Sequence, residues 1–159
     1  MLGVLFDKTD GPICAPPAHI MKSLEEIEPL TQKVIGCAIE VHRLLGPGLL
    51  ESVYEECMTI ELRREGLKVE SQRQVPIEFR GQRVKRRLTL DLLVEGCIVV
   101  EIKAVKRLHP VHLAQVVTYL KLTGFPAGLL MNFNATTLKA GLKRLDHPDR
   151  YLRRKSGVS

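Results

Sequence analysis

Apolar residues recur at helical spacing over two stretches in the first half of the chain, residues 30–45 and 50–64. Glycine-containing turns follow both stretches, as expected where helices end. Ser23 followed by Glu26 is a capping pattern, but Pro29 comes early in the segment. We therefore expect the main part of the first helix to begin at about residue 30.

The spacing then changes to the two-residue alternation that is typical of strands. Residues 67–80 predict one strand, in which Pro76 favours an edge position or a bulge. Residues 84–103 contain two further strand-like runs on either side of a Glu95-Gly96 turn. These two runs predict a hairpin.

The last third of the chain predicts a helix over about 110–123 and a buried strand over 126–133. A short basic helix or turn is expected over 135–145. The order of elements is helix, helix, strands, helix, strand, helix. This order indicates an α/β domain in which a small mixed β-sheet is flanked by helices on both faces.

We expect one domain over residues 21–147, after an irregular N-terminal extension (1–20) and before a basic flexible tail (148–159). A chain of 159 residues, 45% of them hydrophobic, is long enough to bury one core. No apolar run approaches the ~20 residues that span a bilayer, so we expect a cytoplasmic protein with no membrane partner. The four cysteines are widely spaced, which favours free thiols over disulfides or a zinc site.

The chain is basic, with 24 Lys and Arg against 18 Asp and Glu and a net charge of +6. This balance fits a polyanionic partner such as nucleic acid. Only 4% of the residues are aromatic, which argues against a stacking platform for single strands. Arg83, Lys85 and Arg87 are spaced by two and indicate either a solvated edge strand or a stripe that contacts phosphates.

Three charged residues interrupt the apolar runs of the predicted hairpin: Asp91 in its first strand, and Glu101 and Lys103 in its second. Mg²⁺ prefers carboxylate oxygens, and a nearby ammonium stabilises negative charge on a reacting phosphate. The residue types therefore suit a metal site beside a phosphate. The alternative is a buried ion-pair triad, which is an inefficient structural device because desolvating each ion is costly.

The alignment of the two strands decides whether the acids can share one ion. A two-residue loop would pair Asp91 with Val100 and leave Glu101 on the other face of the sheet. A three-residue loop pairs Asp91 with Glu101, and Lys103 then joins the same face. Gly96 can adopt the positive φ that such a turn needs. We predict the three-residue loop or an equivalent bulge.

The neighbouring predicted helices also carry polar residues at shared-face spacing. Glu51 and Tyr54 are three residues apart at the start of the second helix. Taken alone, Glu51 fits a first-turn acid that the helix dipole favours. Gln115 and Tyr119 follow His112 along one stripe of the later helix; a histidine there is more typical of a helix surface than of a phosphate contact.

These elements together resemble the GxxExxY protein family of the PD-(D/E)XK nuclease-like superfamily, over roughly residues 28–145. The resemblance rests on Gly48-Leu-Leu-Glu51-Ser-Val-Tyr54, Asp91, Glu101-Ile-Lys103 and Gln115-x-x-x-Tyr119. Leu90 stands where the name of the superfamily has a proline. The resemblance implies a restriction-endonuclease-like core with its site along the central hairpin.

The resemblance also implies roles for individual residues. Asp91 and Glu101 would be magnesium ligands with the backbone carbonyl of Ile102, and Glu51 would be an additional acid of the metal site. Lys103 would position or activate the attacking water. Gln115 and Tyr119 would contact the substrate strand. To these we add Tyr54 and, from the basic stripe, Arg87 as expected substrate contacts.

We therefore expect a metal-dependent nuclease that hydrolyses phosphodiester bonds in DNA, with Mg²⁺ as the cofactor and Mn²⁺ as an alternative. A second hypothesis is a nucleic-acid-binding module that keeps the nuclease-like fold, has little or no turnover and acts with a partner. A third is an interaction domain whose charged cluster has no chemistry. The sequence leaves a homodimer and a protein partner open.

Overall fold

In a computed structural model the fold is described for residues 23–149. The expected extension over residues 1–20 and most of the expected tail lie outside this range. The helices are α1 (Leu24–Leu45), α2 (Glu51–Arg64), α3 (Pro110–Thr123) and α4 (Leu138–Gly141). The strands are β1 (Val69–Phe79), β2 (Gln82–Val94), β3 (Ile98–Lys103), β4 (Ala127–Asn132) and β5 (Leu142–Asp146).

The five strands form one mixed sheet in the order β1-β2-β3-β4-β5. β3 and β4 are parallel, and every other neighbouring pair is antiparallel. Two parallel neighbours need a crossover connection, which here is α3. The two central strands are buried almost throughout.

Helices cover both faces of the sheet, as the order of elements predicted. On one face α1, α2 and α4 pack on alternate residues of the central strands, including Ile98, Val100 and Ile102. On the other face α3 packs on the intervening residues, including Val99. The expectation of an α/β fold with a small mixed sheet between helices is confirmed.

The first helix begins earlier than predicted, at Leu24 instead of about residue 30. Ser23 and Glu26 form a complete capping box, and Ile27 is fully buried. Pro29 lacks an N–H and so removes one backbone hydrogen bond, near the exposed start of the helix. The cap and the buried side chain outweigh that single loss.

The segment 135–145 was predicted as a short basic helix or turn, and this prediction is only half right. α4 spans four residues, and the chain then forms the edge strand β5 beside β4. Lys143 is exposed on this strand, and Arg144 pairs with Glu28 of α1. Charged side chains are typical of edge strands, and here they conceal the strand pattern in the sequence.

No helix within residues 23–149 has the length and apolar character needed to cross a membrane.

α3 lies unusually close to β4 at Gly128. A Cβ atom added to Gly128 would lie 2.6 Å from Cγ1 of Val116 and 3.5 Å from both Cδ atoms of Leu120. Only a glycine therefore allows α3 to approach the sheet at this distance. The approach matters because α3 carries Gln115 and Tyr119.

We expect Gly128→Ala to lower the free energy of unfolding by about 1–3 kcal/mol, because the added methyl overpacks against Val116. Val116→Ala in the same chain should recover part of that loss, which a double-mutant cycle by urea denaturation would measure. Gly36→Ala is the matched control. Gly36 lies within α1 with nothing within 4 Å of an added Cβ, so that change should stabilise the protein by about 0.5–1 kcal/mol. Strictly additive effects of Gly128→Ala and Val116→Ala would contradict the close approach.

Candidate active site

The turn between β2 and β3 has the three-residue length that the sequence predicted. Leu92 pairs with Val100, and Val94 pairs with Ile98, so residues 95–97 form the loop. Gly96 has φ 64°. Continuing this alignment by one residue places Asp91 opposite Glu101, and the prediction of the loop is confirmed.

The sheet is irregular at the level of Asp91. The ladder between β1 and β2 pairs Ser71 with Leu92 and Arg73 with Leu90, but it omits Gln72 and Asp91 between them. The β2–β3 ladder also ends at Leu92. Asp91 Oδ2 accepts a hydrogen bond from the Ile102 N–H at 2.8 Å, so a side chain bridges the two strands beyond the last backbone pair.

Glu101 is the most buried charged group of the cluster, with 3% of its surface exposed. Its Oε1 accepts a hydrogen bond from Lys103 Nζ at 3.0 Å. Its Oε2 is buried and has no hydrogen-bond partner. Burial, followed by the charge of Asp91, raises the pKa of Glu101 to about 7, although Lys103 opposes this shift.

The pKa values of the two neighbouring groups are shifted as well. Burial raises the pKa of Asp91, although the hydrogen bond from Ile102 and the charge of Lys103 oppose the shift. Burial acts to lower the pKa of Lys103, but its hydrogen bond to Glu101 and the charges of Glu101, Glu51 and Asp91 outweigh burial and raise it. Lys103 therefore stays an ammonium, whereas the two acids resist being charged together.

α2 brings Glu51 to the same end of the sheet. Glu51 Oε1 accepts a hydrogen bond from the Ala104 N–H at 3.2 Å, directly after Lys103. The charge of Glu51 contributes to the raised pKa values of Asp91 and Glu101. Glu51 therefore belongs electrostatically to the cluster, besides being a first-turn acid.

Tyr54 was expected to contact the substrate, but the structure gives it another role. Its side chain is fully buried and stacks on Phe133 with ring centroids 4.6 Å apart. Its hydroxyl donates to the Gly46 carbonyl at 2.6 Å and accepts from the Leu49 N–H at 3.2 Å. Tyr54 has no surface to offer a substrate; it fixes the turn from which Glu51 starts.

α3 places Gln115 and Tyr119 on the Glu101 side of the sheet. Gln115 Nε2 donates to the Tyr119 hydroxyl at 2.6 Å. Burial raises the pKa of Tyr119, and the charges of Glu101 and Lys103 also act on that pKa, the first raising it and the second lowering it. The predicted polar stripe is thus directed toward the acids and the lysine.

Gln72 and Glu55 lie near the acids of the site and were not predicted as site residues. Gln72 Nε2 donates to both carboxylate oxygens of Glu55 at 2.8 Å, and its side chain acts to lower the pKa of Asp91, against the larger effect of burial. Gln72 has φ 52°, a conformation that few side chains adopt. The sequence signalled only Glu55, which lies one helical turn after Glu51; nothing in it pointed to Gln72.

Asn132 holds the chain that leaves the site. Its side chain accepts from the Val105 N–H at 3.0 Å and donates to the Val105 carbonyl at 2.8 Å. The Phe133 N–H also donates to the Lys103 carbonyl at 2.8 Å. A buried amide at the end of β4 thereby fixes the segment after Lys103, and a lone asparagine in an apolar strand was the only signal for it.

Arg87, the remaining predicted substrate contact, lies on β2 four residues before Asp91. Its side chain is exposed. It forms no ion pair or side-chain hydrogen bond with any residue in the described part of the chain.

The donor set suits a hard divalent cation. Within residues 23–149, no three His, Cys, Asp or Glu side chains already surround one point where an ion would bind. However, the buried Oε2 of Glu101 has no partner, and Asp91 supplies a second carboxylate beside it. Oxygen ligands of this kind, completed by water and substrate phosphate, are what Mg²⁺ requires, so the residues present fit such an ion.

A family model described as the PD-(D/E)XK nuclease superfamily matches residues 28–145, most of the chain. Comparison with curated proteins and with solved structures gave no match.

The raised pKa of Glu101 predicts how stability depends on pH without divalent metal. The folded protein holds the Glu101 proton up to about pH 7, whereas an unfolded glutamate releases it near pH 4.5. Stability from this group is therefore complete below pH 4.5 and is lost as the pH rises through 7, by up to about 3 kcal/mol. Glu101→Gln should flatten this decline between pH 5 and 8 in urea denaturation with EDTA. Parallel profiles for the variant and the wild type would contradict the assignment.

Proposed function

The chain belongs to the PD-(D/E)XK nuclease superfamily, and we propose that it is a divalent-metal-dependent nuclease that hydrolyses phosphodiester bonds in DNA. The observation that carries the proposal is the buried, unpartnered Oε2 of Glu101 beside Asp91 and Lys103. A structural ion pair would satisfy that oxygen. A site that binds a cation leaves it available.

We assign the metal to the two carboxylates of Asp91 and Glu101, with the Ile102 carbonyl and Glu51 as further candidate ligands. Divalent metals are general in this superfamily, and Mg²⁺ or Mn²⁺ is our choice because the donors are hard oxygens. When bound, such an ion supplies an activated water and neutralises charge on the phosphoryl oxygens. Its charge would also lower the pKa of Glu101 and relieve the repulsion between the acids.

Lys103 contributes the positive charge that the protein itself can direct at the phosphate. Its ammonium lies 3.0 Å from Glu101 Oε1, and 15% of its side chain is exposed, so the group is positioned but still reachable. As negative charge develops on the reacting phosphate, a fixed ammonium stabilises it. Gln115 and Tyr119, joined by their 2.6 Å hydrogen bond, are the proposed contacts to the substrate strand.

One observation favours a second candidate function. No three acidic, histidine or cysteine side chains surround a single point in the described part of the chain, which is what a nucleic-acid-binding module with little turnover would show. Such a module would bind nucleic acid without cleaving it, alone or with a partner. A cleavage assay separates the two candidates.

We expect Lys103→Ala to reduce metal-dependent cleavage of DNA by at least about 10²-fold, as for removal of one charge-stabilising group. The assay uses supercoiled, linear and single-stranded DNA with Mg²⁺ or Mn²⁺. Lys121→Ala, which removes an exposed lysine in the last turn of α3, is the matched control and should cleave as the wild type does. Equal cleavage by wild type and Lys103→Ala would overturn the assignment. Binding without cleavage by the wild type would favour the second candidate.

We also expect Mg²⁺ or Mn²⁺ to raise the melting temperature of the wild type, because an ion that binds only the folded state stabilises it. Asp91→Asn and Glu101→Gln should abolish this shift, whereas Lys103→Ala should retain it. Glu56→Gln is the control, since Glu56 is an exposed acid on the helix that carries Glu51. A shift of the same size in all four variants would mean that the metal binds elsewhere.

A further inference from the structure

The ten residues Glu78–Arg87 form the distal end of the β1–β2 hairpin, and all ten are exposed. We refer to this segment as the arm. The hairpin joins the core at Val75 and Leu88, which pack in the α3-side cluster. Beyond that point no residue of the arm belongs to either hydrophobic cluster within residues 23–149, so the arm extends as a two-stranded ribbon.

Half of the arm is basic. It contains five basic residues and one acid, Glu78; the basic residues are Arg80, Arg83, Lys85, Arg86 and Arg87. Three of them are consecutive, and successive strand residues point to opposite faces. Positive charge therefore lies on both faces of the ribbon.

The basic side chains of the arm lack internal partners. Arg80 lies over the Phe79 ring, 5.6 Å from its centroid. The other four form no ion pair or side-chain hydrogen bond with any residue from 23 to 149, although Glu78 lies opposite Arg83. By contrast, Arg43, Arg73 and Arg144 are each paired with a carboxylate. Charged side chains also protect solvated edge strands, but here basic residues outnumber acids five to one and lie on both faces, which favours an anionic partner.

The arm and the candidate active site share strand β2. Arg87 precedes Asp91 by four residues and Arg83 precedes it by eight, which corresponds to about 13 Å and 26 Å along a strand. A bulge between these two residues bends the ribbon, because one residue of β1, Ile77, opposes three of β2. Measured along the strand from Asp91, these separations correspond to roughly four to eight base-pair steps at 3.4 Å per step.

The dimensions of the arm distinguish between forms of nucleic acid. The major groove of B-form DNA is about 12 Å wide and admits a two-stranded β-ribbon. The major groove of A-form RNA is too narrow for side chains to enter. Phe79 is the arm's single aromatic residue, which does not provide the series of stacking surfaces that single strands need.

We propose that the arm lies in the major groove of double-stranded DNA, four to eight base pairs from the cleavage position. Its basic side chains contact the phosphates on both sides of that groove. The proposal rests on the proposed nuclease function for the location of the cleavage position. It adds that the substrate is a B-form duplex extending to one side of the active site. It also assigns Arg83, Lys85 and Arg86 as substrate-binding residues.

The test is binding of a fluorescent 20-base-pair DNA duplex, followed by anisotropy over a range of salt concentrations in EDTA so that cleavage does not interfere. In the triple variant Arg83→Gln, Lys85→Gln, Arg86→Gln, the duplex should bind at least tenfold more weakly. The slope of log affinity against log salt should fall by about 2 to 3, because each lost phosphate contact removes about 0.9. Wild-type binding should be weaker for single-stranded DNA and for an RNA duplex of the same sequence.

The matched control is the triple variant Lys121→Gln, Lys139→Gln, Lys143→Gln, which removes three other exposed lysines. Lys143 lies on β5, the sheet edge opposite β1, and Lys139 lies on α4. This control has the same net charge as the arm variant and should change the slope by less than 1. A charge-conserving variant, Arg83→Lys with Arg86→Lys, should keep most of the affinity. If the triple variant does not fold, Lys85→Gln alone should lower the slope by about 0.9.

Equal losses in the arm variant and the lysine control would overturn the proposal, since they would show a general effect of charge. The assignment to the major groove of DNA would be overturned if single-stranded DNA or duplex RNA bound the wild type as tightly as duplex DNA does and lost the same affinity in the arm variant. Arm-dependent duplex binding without any cleavage would support the arm and count against the nuclease. If the wild type cleaves DNA and the arm variant binds the duplex as tightly as the wild type does, the nuclease would be supported and the arm proposal overturned.

Discussion

The site depends on the burial of the Glu101 carboxylate within a central strand. A carboxylate placed there loses its water, and only one of its oxygens is compensated, by Lys103. Asp91 adds a second negative charge nearby instead of relieving the first. Desolvation and repulsion of the two carboxylates cost free energy, and a cation bound between them would offset that cost. The neighbouring elements serve to hold this unfavourable pair in place.

Three features outside the hairpin determine where those elements lie. Tyr54 fixes the turn before α2, which directs Glu51 to the segment after Lys103. Gly128 lets α3 approach β4 closely, and the charge of Glu101 then contributes to the raised pKa of Tyr119. Asn132 fixes the chain that leaves β3. None of the three is a chemical group of the site, yet each sets a distance within it.

Strand β2 combines two environments in one element. From Leu90 to Val94 it is mostly buried and contributes Asp91 to the site, whereas each residue from Gln82 to Arg87 is exposed. The change follows from the sheet, because β2 is covered by helices only where it lies beside β3. One continuous strand therefore connects the proposed substrate-binding residues to the proposed reaction.

Local features of the sequence predicted much of this architecture. The helical spacing of apolar residues located α2 and α3 nearly to the residue, and the need for Asp91 and Glu101 to share a face predicted the three-residue loop at Gly96. These predictions succeeded because helix periodicity and strand alignment depend on residues close in the chain. The start of α1 and the strand β5 were mispredicted, since a buried Ile27 and pairing with β4 outweighed the local signals.

The sequence by itself determined the residue types of the site, its two carboxylates and its lysine, and the strands that carry them. Only the tertiary structure decided that Tyr54 faces the core, that Gln72 hydrogen-bonds Glu55, and that one oxygen of Glu101 has no partner. The physical reason is that burial and hydrogen bonding arise between residues far apart in the chain. Spacing along a sequence shows which side chains share a face, but not what lies opposite that face.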